Sequence, residues 1–491
     1  MRLPINPLVH EIFTWVWLRD LSDDLGRPVT LADVPDDVWD DVARPGIDAV
    51  WLMGVWERSP AGARIAATDE AMLAGARAAL PDLDDADIVG SAYCVRDYAV
   101  DPTLGGEEGL RTARAALADR GVGLVLDFVP NHVAPDHAWA LTRPEYFVHG
   151  DRDELERSPD AFLDIEGHVI ARGRDPYFPP WPEVLQLDTS RADGRAAAGG
   201  VLATIADRCD AVRCDMAMLM LDDVFARTWG ARAAGPDDGR GYWPTVMAAA
   251  RQEHPDVQLW AEAYWDLEPV LVQSGFDACY DKRLYDRLVH REAASSIRDH
   301  LRADVAYQAH TVRFTENHDE PRVASVLERA QARAATVVAL TLPGIALLHE
   351  GQQTGRQVRV PVTLGRRPYE EPDGELAAWY DRLLDALATG MRRGEWRLLD
   401  VEGWPDNRSG ENLVAWEWTG PGTWIVAVNL SGGRADGRLR SSGLGDGDVR
   451  LRDLLSGERY DRSGADIAAN GLYVALDGSC CHLLQVEDAP S

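Results

Sequence analysis

Residues 211–215 read Ala-Val-Arg-Cys-Asp, a short run that carries one cation and stops on a carboxylate. In an extended strand side chains alternate, so Arg213 and Asp215 share one face and Val212 and Cys214 the other. An acid that follows apolar strand residues is costly to desolvate unless it is paired or used. The same pattern recurs at 124–132, LVLDFVPNH, which carries Asp127, Asn131 and His132. It recurs again at 259–262, LWAE, ending on Glu262, and at 313–322, RFTENHDEPR, with Asn317, His318 and Asp319.

Working outward from these segments, short β-branched or aromatic runs predict strands over 11–17, 47–53, 122–127, 210–215, 257–262, 276–280, 312–316 and 345–349. Amphipathic stretches alternate with them, among them 107–120, 195–208, 282–301 and 324–341. Eight strands alternating with helices predict an α/β chain of the (β/α)8 barrel type, in which residues at the carboxyl ends of the strands meet at one site. The 47 residues from Asp215 to Glu262 fit one βα unit, and the 57 from Glu262 to Asp319 fit two shorter ones. The acids can therefore converge. Isolated, each would read as a cap or a surface ion pair; together at strand ends they read as chemistry.

Two connections are long, 54–106 and 133–188, and the second is expected to fold as a small inserted subdomain. Beyond Arg393, LVAWEW, TWIVAVNLS and LYVAL alternate in-out between Gly, Asp and Asn turns, the pattern of an antiparallel sandwich. The expected organisation is a catalytic barrel over 1–392 containing the 133–188 insertion, then a β-sandwich domain over 393–491.

A formal charge of −31 over 491 residues disfavours phosphate backbones and anionic lipid, so neither nucleic acid nor membrane is expected as a partner. A neutral substrate fits better. The start of the sequence has no secretory pattern, and the longest apolar stretch, 334–348, is broken by Pro343 and Gly344 and is too short to span a bilayer. Six cysteines without a CxxC pair read as reduced thiols, and the expected location is the cytoplasm.

The four charged segments resemble, in order, the four signature regions of the α-amylase family (glycoside hydrolase family 13). GIDAVWLMGVW at 46–56 is similar to its second strand, SAYCVRDY at 91–98 to the aromatic motif that follows, and WPEVLQLD at 181–188 to the signature near the end of its inserted subdomain. PGIALLHEGQQ at 343–353 is similar to its eighth strand and loop. The resemblance covers roughly the first 390 residues. It implies a sugar substrate, Asp215 as nucleophile, Glu262 as general acid and base, and Asp319 as transition-state stabiliser. It further implies that His132 and His318 bind sugar hydroxyls, that Tyr93 stacks on the ring, and that Arg213 is part of the substrate site, keeping Asp215 charged. Asp127, Asn131 and Asn317 are implied as supporting residues. Glu262 has no cation in its own motif, and neighbours such as Trp260, Tyr264 and Trp265 would suit a proton donor.

The sequence departs from the family in three places. Met216-Ala217-Met218-Leu219 stands where many starch-degrading members carry a Lys-His pair, and Gly90 stands where exo-acting glucosidases commonly place an Asp. Asn131 matches a calcium-ligating position, but one amide oxygen does not make a site that wants six to eight. No cofactor or resident metal is expected, calcium being the one ion the resemblance leaves open. The leading expectation is a retaining hydrolase of α-1,4 or α-1,6 glucosidic bonds in α-glucans or maltooligosaccharides. A transglucosylase or sugar isomerase shares the same intermediate, and a non-catalytic carbohydrate-binding subunit is the reading from another class; oligomeric state is left open.

Overall fold

A computed structural model describes residues 1–233, 241–444 and 447–487. Eight parallel strands close into a ring in sequential order: β1 (Leu8–Phe13), β2 (Ala49–Met53), β3 (Gly123–Phe128), β4 (Ala211–Cys214), β5 (Gln258–Ala261), β6 (Ala278–Tyr280), β7 (Thr311–Arg313) and β8 (Ile345–His349). The chain is thus a (β/α)8 barrel with a C-terminal antiparallel sheet domain. Strand parity sorts the side chains. Val9, Phe13, Ala49, Trp51, Val125, Ala211, Trp260, Tyr280 and Leu347 pack inside the ring. Leu8, Ile12, Val50, Leu52, Leu124, Leu126, Val212 and Leu348 pack outward against the helices.

The first strand departs from expectation. It begins three residues before the predicted 11–17 run, and Thr14–Leu25, which opens with Thr-Trp-Val-Trp, is helical. Local aromatic and β-branched content favours a strand there, but packing against the barrel overrides it. The stretch 282–301 is likewise two helices, Lys282–Val289 and Ala294–Leu301, separated by a turn in which Arg291 has φ of 58°. The stretch 324–341 divides into Val323–Val326 and Arg329–Thr341.

After β3 the chain makes a two-stranded link, His132–Val133 with Leu185–Gln186, and a hairpin, Phe162–Ile165 with His168–Ala171. Small apolar clusters around Val148 and Phe162 and around Val133 and Ile170 hold this segment over one side of the barrel mouth.

At the C-terminal end a six-stranded sheet and a three-stranded sheet face each other across Leu413, Ile425, Leu439, Leu451, Leu472 and Leu484. Alternation gives Leu413–Thr419 two jobs. Leu413 and Ala415 enter that core, while Val414, Trp416 and Trp418 pack with the barrel helices. The Trp418 indole N–H donates to the Thr341 carbonyl at 2.8 Å, and Arg298 donates to the carbonyls of Glu411 and Leu413 at 2.8 and 2.7 Å.

Candidate active site

Asp215 and Glu262 come one residue after β4 and β5, yet their amides still continue the ladder. Asp215 N–H donates to the Phe128 carbonyl at 2.8 Å and Glu262 N–H to that of Cys214 at 3.0 Å. Both side chains are thereby fixed on rigid backbone, projecting into the mouth. Asp319 arrives differently, in a turn after β7 that the Asn317 side chain shapes by accepting from the amides of Asp319 and Glu320, each at 2.9 Å.

Arg213 binds the group together. Its side chain is 1% exposed, with Nη1 at 2.8 Å from Asp215 Oδ1 and Nη2 at 2.8 Å from Glu262 Oε2. The same nitrogens lie 3.7 Å from Asp127 Oδ1 and 4.0 Å from Asp319 Oδ2. Trp51, Tyr93 and Tyr280 surround the guanidinium at 5.2–5.7 Å from their ring centres. The expectation that Glu262 lacks a cationic partner is corrected here: one arginine serves both carboxylates, because β4 and β5 are neighbours in the ring. Glu262 also accepts from the Tyr264 hydroxyl at 2.9 Å and from Met216 N–H at 2.6 Å. That second bond is offered by a Met216 held at φ of 43°, a left-handed conformation unusual for a side-chain-bearing residue.

Burial pushes the Asp215 carboxyl up to about 8, with Arg213 opposing and the charge of Glu262 adding to the rise. Asp319 moves the other way. Its side chain is half-buried, and His318 first, and then Arg213 and Arg359, hold it well below the usual carboxylate range. Burial alone would lower His318, but Asp319 and Glu11 on either side raise it to about 10, so its ring is cationic at neutral pH. Burial lifts Asp127 to about 6 against the pull of Arg213 and drops His132 to about 4, leaving that imidazole neutral.

A cleft of ≈ 560 Å³ opens over these groups, lined by Tyr93, His132, Asp215, Glu262 and Asp319 together with Asp175, Phe178, Trp181, Met216, Tyr264 and Val362. The remaining predicted residues sit one layer beneath. Asp127 accepts from the Trp51 indole at 3.1 Å and Gly54 N–H at 3.3 Å, and so braces both Arg213 and the loop after β2. The His318 side chain is fully buried, stacked under Tyr93 at 5.3 Å and in contact with its hydroxyl at 2.7 Å. Asn131 contacts His132 Nδ1 at 3.2 Å.

No protein-family model matches the chain. A curated relative, the α-amylase MalA of Haloarcula japonica, is 26% identical over 251 residues, 50% of this chain and 33% of its own length. The match thus spans about a third of that relative. Among solved structures, a noncanonic maltogenic α-amylase, AmyB of Thermotoga neapolitana, superposes with a TM-score of 0.67 at 18% identity over 98% of both chains. An α-amylase of Geobacillus thermoleovorans complexed with acarbose does so with a TM-score of 0.67 at 16% identity over 100% of both. The chain resembles the α-amylase family in both fold and sequence.

Within this α-amylase fold, two charged residues of the site lie outside the sequence-based set: Asp175, which lines the cleft, and Glu11. Glu11 is fully buried in β1 and lies 2.5 Å from His318 Nδ1. Its signal was an acid inside the apolar run LVHEIF, obscured because the strand was placed to begin at that residue. Trp51 and Tyr280, whose rings face the Arg213 guanidinium, were likewise not singled out. At the position matching a calcium ligand, the Asn131 side-chain oxygen accepts from the Gln186 amide at 2.9 Å. Among the described residues no group of three or more His, Cys, Asp or Glu is placed to hold a metal ion, and no helix is long and apolar enough to cross a membrane.

Proposed function

We propose that the protein is a glycosidase of the α-amylase type that cleaves α-glucosidic bonds in α-glucans or maltooligosaccharides through a covalent glycosyl-enzyme intermediate. The observation that carries this reading is the single buried arginine within 4.0 Å of carboxylates from three strand ends, Asp215, Glu262 and Asp319. In the proposed cycle Glu262 protonates the leaving oxygen while Asp215 attacks the anomeric carbon, and Glu262 then takes a proton from the water that resolves the intermediate. Arg213 orients both groups. Asp319, held ionised by His318, faces the positive charge that builds on the sugar ring, and Tyr93 offers an aromatic face to that ring.

The test is a panel of maltooligosaccharides and branched α-glucans, with the anomeric form of the first product read by NMR. Retention of the α-configuration is expected. Inversion would exclude the covalent route, and products longer than the starting chain would replace hydrolysis by transfer. Loss of turnover by Asp215→Asn, Glu262→Gln and Asp319→Asn, on the order of 10⁴-fold or more for the first, would follow from removing groups that act as one unit. Unchanged turnover in any of the three removes its assigned role.

A further inference from the structure

We infer that the cleft is closed at the end that holds the retained sugar, so that the protein acts at the terminus of a glycan chain and not within it. This inference deepens the functional reading above and rests on it.

In a ring of eight sequential strands, β5 stands opposite β1, and β2 and β8 flank β1. Glu262, which would protonate the departing group, rises from the end of β5 with Tyr264 and the Met216 amide around its carboxylate. The departing part of the substrate therefore lies toward β5, and the retained sugar toward β1. On the β5 side the cleft is bounded by solvent-facing aromatics: Phe178 is 67% exposed, and Tyr177, 60% exposed, meets Trp265, just past β5, edge-to-face. That side is open.

The β1 side is sewn shut by backbone. The loop after β2 and the loop after β8 run together as a seam, with Val89 N–H donating to the Thr363 carbonyl at 2.9 Å, Ala92 N–H to that of Val362 at 3.2 Å, and Gly365 N–H to that of Asp87 at 2.8 Å. Arg366 doubles the seam by gripping both oxygens of Asp87 at 2.6 and 2.8 Å. Beneath it lies Arg58, only 5% exposed. Its Nη1 donates to the carbonyls of Gly90 at 2.5 Å and Val362 at 3.3 Å, one from each loop, while the guanidinium rests over Trp15, just past β1, at 4.4 Å. Gly90 shapes the loop here: its φ is +87°, in the left-handed region, and a Cβ there would stand 3.3 Å from Ala63.

The faces this seam turns to the cleft are Ser91, Tyr93 and Val362. Tyr93 would stack on the sugar ring, and Ser91 and Val362 line the wall beside it. A continuing glycan chain would have to pass through hydrogen-bonded backbone, which a side-chain rotation cannot open. The consequence is a terminal-sugar site made by main chain, beside a position, Gly90, that carries no side chain.

The experiment uses two maltooligosaccharides of equal length, one with a free non-reducing end and one with that end blocked by a cyclic acetal, with products separated by chromatography from the first turnovers. We expect the free chain to yield one short product length and the blocked chain to react at least about 100-fold more slowly, since the site must reject the added bulk. Comparable cleavage of both chains, or a mixture of internal fragments from the free one, overturns the inference while leaving the glycosidase reading intact. No cleavage of either chain overturns that reading and the inference with it. Calorimetry with Glu262→Gln gives a readout independent of turnover: binding of the free chain but not the blocked one is expected, and equal affinity overturns the closed end.

Discussion

Asp215 must be ionised to attack, yet the protein raises its carboxyl from an ordinary value of 3.8 to about 8. The acid limb of kcat/KM is therefore expected well above the ordinary carboxylate range, with activity rising as the pH approaches 8; a limb below pH 5 in a pH–rate profile would contradict it. The same shift has a stability consequence with a defined sign. A carboxyl that binds its proton more tightly folded than unfolded makes stability fall as pH rises from about 4 to about 8. Asp215→Asn should raise the melting temperature, and by more at pH 8 than at pH 5.

Glu11 supplies a second residue-scale test, because it lies under His318 and not at the reacting atoms. Glu11→Gln keeps the shape and removes the charge, so His318 should titrate at lower pH by NMR and Asp319 should lose part of what keeps it ionised. A fall in kcat/KM of about 10–100-fold is expected, the usual scale for an outer partner that orients a working group. An unmoved His318 titration would show that Asp319 alone holds its proton.

At the scale of elements, the β-strand from Leu413 to Thr419 joins two cores, and Trp418 is its anchor on the barrel, 1% exposed and hydrogen-bonded to Thr341. Trp418→Ala should destabilise the protein by roughly 3–5 kcal/mol in urea unfolding, a typical cost of emptying a large buried site. Activity per folded molecule should persist, since the cleft is elsewhere. This is also the scale at which the sequence was most and least readable. The strand β8 at Ile345–His349 was placed to the residue because apolar content, Gly344 before it and Glu350 after it all agree. The strand at Leu8–Phe13 was misframed because Thr-Trp-Val-Trp has strand-like side chains but packs as a helix. The acids at 215 and 262 were legible because each follows an apolar run, whereas Asp319, preceded by Thr315-Glu316-Asn317-His318, was legible through the motif RFTENHDEPR. Glu11 was not, since nothing local distinguishes it from an acid at a strand's edge, and the seam between residues 87–92 and 362–366 was not, since backbone pairing across 270–278 residues leaves no mark in composition.

The whole molecule carries a formal charge of −31, and at low ionic strength the compact state must hold that charge together. Moderate salt should therefore raise its melting temperature by screening self-repulsion, an effect expected to level off once the Debye length falls to a few ångströms near 1 M. A melting temperature that falls on adding sodium chloride would show that local ion pairs outweigh the net charge.

Around Arg213 the local sums are just as uneven. Glu11, Asp127, Asp215, Glu262 and Asp319 are gathered about one guanidinium and one imidazolium. Such a basin is better matched to a visitor that brings its own positive charge than to a neutral one. A sugar-shaped ring with a protonated nitrogen should accordingly bind more tightly than its uncharged carbon counterpart. Its advantage should grow as the pH rises through the range in which Asp215 gives up its proton, until the inhibitor's own nitrogen does the same.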